Sequence, residues 1–80
     1  MHVKDMVTKR FAELCKARGI KLNELATRSG VTPSTVYSMM DGHRRQVSIV
    51  LIKKLCDGLE ITLGEFFSTP EFDGLEQEIR

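Results

Sequence analysis

Between Leu22 and Met40 the chain carries small, apolar and turn-forming residues at a spacing that leaves few folds open. Leu22, Leu25 and Ala26 share one side of a short helix, Leu22 to Arg28, that ends at Ser29-Gly30. Thr32-Pro33 starts another: the threonine hydroxyl caps a free backbone N–H, and proline in the first turn gives up no hydrogen bond. This second helix reaches about Met40 and stops at Asp41-Gly42. Two helices joined by so tight a turn cross at a steep angle. At such a crossing Ala26 has to be small, Gly30 supplies a left-handed backbone conformation, and Val36 and Met39 fill the space between the helices. One match alone would mean nothing. The set, with Thr-Pro in register, is a strong signal.

Around this pair the pattern stays helical. Val3, Met6, Val7, Phe11, Leu14, Cys15 and Ala17 recur three and four apart, the stripe of an amphipathic helix from about Asp5 to Arg18 that Gly19 ends. Ser48 caps a helix whose expected buried positions are Ile49, Ile52, Leu55, Cys56 and Leu59. Thr62-Leu63-Gly64-Glu65 is a capping box opening a fifth, short helix with Leu63, Phe66 and Phe67 apolar. Thr69-Pro70 marks a further turn or two, with Phe72, Leu75 and Ile79 on one face and Gly74 interrupting it, marginal unless it packs on something. No strand-like alternation occurs, so the predicted class is all-α.

With 80 residues, 41% hydrophobic and 29% charged, the sequence reads as one small globular domain. Its longest apolar run, Ile49 to Ile52, is far too short to span a bilayer, and no charged-then-apolar leader opens it. The expectation is a cytoplasmic protein with no membrane partner. Cys15 and Cys56 each sit in an apolar helical pattern and read as reduced core residues rather than a disulfide. Net charge is only +1, but residues 1–56 hold eleven Lys/Arg against four Asp/Glu, while residues 57–80 hold one Arg against seven acids. A basic body with an acidic end suits phosphate attraction on one face and another task elsewhere.

Taken with Leu25-Ala26, Gly30-Val31-Thr32, Ser34-Thr35-Val36, Gly42 and the later Leu55, Leu59, Ile61 and Leu63–Phe66, the chain resembles the Cro/CI-type (XRE-type) helix-turn-helix regulators from about Arg10 to Phe67. The resemblance implies a compact five-helix, lambda-repressor-like domain over residues 1–68; the acidic tail at 69–80 lies past it, and its charge suits dimerisation or partner binding rather than DNA. It implies a transcriptional regulator, by default a repressor, binding double-stranded DNA as a homodimer on a palindromic operator. The third helix would enter the major groove, and no cofactor is called for. At 100° per residue Pro33, Val36, Met39 and Met40 turn toward the core, with Ser34, Tyr37, Ser38 and Asp41 opposite and Thr35 at the flank. The resemblance then makes Thr32, Ser34, Thr35, Tyr37 and Ser38 the expected base contacts, with Pro33 at the start of the helix added for a carbon contact to a thymine methyl. Lys21, Leu22 and Asn23 at the start of the second helix, and His43, Arg44, Arg45 and Gln46 in the loop, are the expected phosphate contacts.

Three departures sharpen the expectation. Family members often carry Gln, Asn or Arg on the reading face; here there are hydroxyls, so methyl contacts, water and DNA shape would supply much of the specificity. Cys15 and Met40 stand where the family often has a buried Arg–Glu pair, an apolar exchange that predicts contact between them. Lys21-Leu22 replaces a common Ser/Thr-Gln, so the usual side-chain cap of the second helix is missing.

An enzyme reading finds no support: His2 and His43 have no partners at metal-ligand spacing, and there is no phosphate-binding glycine loop or nucleophile–base pair. The alternative function is an antitoxin or adaptor-type protein-interaction module on the same fold. Phe67, Phe72, Leu75 and Ile79 are its candidate surface, free to bury against a twin subunit, the same domain or a different protein.

Overall fold

Capping side chains divide the chain into α1 (Val3–Arg18), α2 (Leu22–Ser29), α3 (Pro33–Met40), α4 (Ile49–Gly58), α5 (Leu63–Phe67) and α6 (Pro70–Asp73). The computed structural model describes residues 2–44 and 46–75, and among them there is no strand. The all-α, five-helix expectation holds, with α6 as one added turn. Thr32 Oγ1 accepts the Thr35 N–H at 3.4 Å, and Ser48 Oγ accepts those of Val50 and Leu51 at 3.1 and 3.4 Å. Thr62 and Glu65 bond reciprocally at 3.0 and 2.9 Å, the expected capping box. α1 begins two residues before its expected start because the Asp5 carboxylate accepts the His2 N–H at 3.1 Å.

The core is built from α1 (Val7, Phe11, Cys15), α2 (Leu25, Ala26), α3 (Val36, Met39), α4 (Ile52, Leu55, Cys56) and the following Leu59 and Phe66. Both cysteines are free and buried, and burial pushes both thiol pKa values up, that of Cys56 to about 11. Cys15 and Met40 join the same apolar cluster, Met40 at its edge. Three positions of α1 and α4 expected inside are exposed. Val3 is 44% and Ile49 57% exposed, and Ala17 is exposed. Val3 and Ile49 are the first residues of their helices, and Ala17 sits in the last turn of α1.

α2 packs against both α3 and α4. Ala26 is fully buried there, and Gly30 ends α2 with φ +71°, the left-handed conformation required of the turn. On the α4 side, a Cβ on Gly58 would meet Ser29 Oγ at 2.2 Å and its backbone N and Cα at 3.1 and 3.2 Å.

α1 ties down α3, α4 and α5 through their C-terminal carbonyls, the groups a helix leaves unpaired. Lys4 Nζ donates to Asp41 O at 2.6 Å, at the end of α3. Arg10 donates to Phe66 O and Glu65 O at 3.0 and 3.1 Å, and its guanidinium lies 5.9 Å from the Phe66 ring centre. Arg18 donates to Leu59 O at the end of α4. Each cation also faces the negative end of a helix dipole.

α6 lies against α1. Phe72 stacks on Phe66 and Phe67 at centroid distances of 5.8 and 4.9 Å, and Phe66 meets Phe11 at 4.4 Å. Of the partner surface expected from the sequence, Phe67, Phe72 and Leu75 are thus half-buried, the first two within this aromatic cluster. Ile79 lies outside the described residues.

Ser29 Oγ is buried with no hydrogen-bond partner among the described residues. Gly58→Ala should destabilise the fold by about 1–3 kcal/mol through overpacking. Ser29→Ala should be neutral or stabilising, because it removes an unpaired hydroxyl. The double variant should lose less than Gly58→Ala alone, a coupling readable from denaturant midpoints.

Candidate nucleic-acid interface

α3 presents two chemically distinct sides. Val36 and Met39 are buried against the core and Met40 is half-buried, while Ser34, Thr35, Tyr37 and Ser38 are exposed. Thr32 is exposed as well. Pro33 departs from its expected coreward direction and is exposed, because the first turn of α3 projects past the crossing with α2. Thr32 Oγ1 lies 3.1 Å from Ser34 Oγ and 2.9 Å from Thr35 Oγ1, so three hydroxyls form one cluster at the N-terminus of α3. Each hydroxyl can donate or accept, and the cluster can re-pair without moving the backbone.

The loop after α3 is organised by Asp41. Its carboxylate accepts the His43 N–H at 2.9 Å and lies 3.1 Å from His43 Nδ1 and 3.9 Å from Arg44 Nε. The backbone and ring hydrogen bonds from His43 hold the Asp41 carboxyl below its ordinary pKa. His43, Arg44 and Gln46 are exposed, the His43 side chain fully. Arg45 lies outside the described residues.

Helix and loop meet in a groove of about 310 Å³. Ser34, Thr35, Ser38 and Met39 of α3 form one wall; Arg44, Gln46 and Val47 of the loop and Ser48 and Leu51 of α4 form the other. The structure therefore brings Ser34, Thr35 and Ser38, expected to read bases, beside Arg44 and Gln46, expected to hold phosphate. At the start of α2, Lys21 and Asn23 are exposed, and Lys21 makes no side-chain cap bond, as the missing Ser/Thr predicts. Leu22 differs from its neighbours: its side chain packs on the core, so only its backbone is suited to a phosphate.

Val47, Ser48 and Leu51 were not among the residues the sequence suggested for this face. Ser48 carried a visible signal, but it was that of a helix cap. Val47 and Leu51 carried only an apolar one. No cluster of three or more metal-ligating side chains occurs among the described residues, and no helix there is long and apolar enough to cross a membrane.

A family model for the Cro/C1-type HTH DNA-binding domain matches residues 10–71. The crystal structure of the prophage Lp1 protein 11 is similar over 94% of this chain and 100% of that one, with a TM-score of 0.82 and 29% sequence identity. Comparison with curated protein sequences gives no match.

The Asp41 bonds set a pH dependence. Folding lowers the pKa of this carboxyl below its ordinary 3.8, so the unfolded chain binds the proton more tightly. The stabilisation is complete above the ordinary value and disappears as pH falls through the lowered one. Asp41→Asn keeps an acceptor for the His43 N–H but loses the charge. Its stability deficit against the parent should be present near pH 5 and shrink as pH falls below 3.8, measured by denaturant unfolding across that range.

Proposed function

The chain belongs to the Cro/C1-type HTH DNA-binding domain family, and from that premise we propose that it is a transcriptional repressor that binds a palindromic operator in double-stranded DNA as a homodimer. The observation that carries this reading is the shared groove: the hydroxyls of one helix face and the Arg44 and Gln46 side chains of the following loop line one opening. Thr32, Pro33, Ser34, Thr35, Tyr37 and Ser38 meet base edges in the major groove. Lys21, Asn23, the backbone of Leu22, His43, Arg44, Arg45 and Gln46 hold the flanking phosphates.

No side chain on the reading face can make a paired hydrogen bond to one base. Specificity therefore comes from hydroxyl and methyl contacts, bridging water and the shape of the duplex. So small a set of contacts favours two copies on one site. Their third helices would lie roughly 34 Å apart, and a body of 36 × 24 × 20 Å fits two to such a span. The half-exposed edge of Phe67, Phe72 and Leu75 is the proposed surface for the second copy. The activity is binding, with no catalytic step, and the working place is the cytoplasm. A second reading, a protein-interaction module, is favoured by Ile49 and Val50, adjacent apolar side chains left 57% and 60% exposed.

Selection from a random duplex pool, followed by titration at several salt concentrations, tests the proposal. Changing Arg44 and Arg45 together to Ala should weaken enriched and unrelated duplexes by similar factors and reduce the salt slope by roughly 0.9 for each phosphate no longer neutralised. Ser34→Ala and Ser38→Ala should instead change base preference and leave that slope intact. A purified chain with no salt-sensitive affinity for any duplex would leave the protein-interaction reading in its place.

A further inference from the structure

The geometry points to Lys4 as a positioning residue for DNA recognition: its buried ammonium fixes the junction between α3 and the basic loop without touching DNA. The inference rests on the DNA-binding reading above. Lys4 stands in the first turn of α1, outside the matched residues 10–71, and is 4% exposed. Among the described residues it is the buried charged side chain. Lysine is almost never taken out of water without a compensating partner.

That partner is a single backbone oxygen with several duties. Asp41 O accepts Lys4 Nζ at 2.6 Å and also accepts the Arg44 N–H at 3.1 Å, the bond that closes the turn leaving α3. The two lone pairs of this oxygen serve both donors, so a single atom joins α1 to the turn that leaves α3. The Asp41 N–H donates to Ser38 O at 3.2 Å, so the same residue ends the helix that carries the reading face. Its carboxylate receives the His43 N–H and faces Arg44. α3 has no basic residue in its own last turn, and Lys4 supplies from α1 the positive charge that its C-terminus lacks. The placement of Ser34 and Ser38 relative to Arg44 and Gln46 thus passes through one carbonyl, and Lys4 holds that carbonyl to the body of the protein. Burial and this bond also take Lys4 away from any phosphate.

The test uses the full chain with Lys4→Met, Lys4→Arg and, as control, Arg10→Met, which uncaps α5 rather than α3. The probes are a duplex enriched by the parent chain and an unrelated duplex. Lys4→Met should weaken the enriched duplex about tenfold, the scale of one charge-assisted hydrogen bond, and weaken the unrelated one much less. The salt slope should stay unchanged, because every phosphate keeps its cation. Lys4→Arg should restore part of the loss, and Arg10→Met should leave the ratio of the two affinities as in the parent. An unchanged ratio in Lys4→Met, a reduced salt slope, or the same loss of ratio in Arg10→Met overturns the inference. Should Lys4→Met not fold, NMR of the parent decides: the Lys4 ammonium protons must exchange slowly with water, both free and DNA-bound. Fast exchange in either state, or transfer to a phosphate on binding, overturns it. A parent chain that binds no duplex removes the DNA-binding reading and this inference together. A parent that binds, beside a Lys4→Met chain indistinguishable from it, removes only the inference.

Discussion

α2 is held between α3 and α4 at separations set by residues with little or no side chain. Ala26 allows one approach, and Gly58, lying against Ser29, allows the other. A larger group at either place forces the neighbouring helix outward, and interiors packed to this density do not absorb such a shift. The tilt of α3 is a consequence of those contacts. So is the exposure of its hydroxyl face, because Val36 and Met39 reach the core only while the crossing stays close.

The distribution of positive charge has a similar division of labour. A net charge of +1 looks weak for a protein that attracts phosphate. Part of the basic surplus in the first 56 residues is tied into the fold, since Lys4, Arg10 and Arg18 donate to helix carbonyls. What remains available around the groove is a short local set centred on Arg44, arranged by a carboxylate instead of being left loose. Position, more than total charge, makes that side of the molecule suited to a polyanion.

Much of this was legible in the sequence because it is local. Thr32-Pro33, Ser48 and Thr62 with Glu65 announce helix starts through atoms two or three residues away, and the structure uses each of them. The outward side of α3 followed from helical spacing once Val36 and Met39 were placed inside. Spacing gives direction around a helix but not position along it, which is why Ile49 and Pro33 were turned the wrong way. The role of Lys4 had no local sign, because its acceptor lies 37 residues further on. Phe72 could have buried against a twin subunit, the same domain or a different protein, and its place beside Phe66 and Phe67 appears only when α6 folds back on α1. The groove was half legible: Ser34, Thr35, Ser38, Arg44 and Gln46 were, while Val47, Ser48 and Leu51 became part of it through the path of the loop.

Cys15 and Cys56 sit in the same sealed interior, with their protons held more firmly than in water. Thiolate is the form that attacks disulfides and electrophiles. In the closed bundle that form is scarce and out of reach, so oxidants and alkylating agents meet these sulfurs chiefly when the helices part. The two side chains serve as an internal gauge of how often the domain opens, and they leave the hydroxyl face insulated from the redox state of its surroundings.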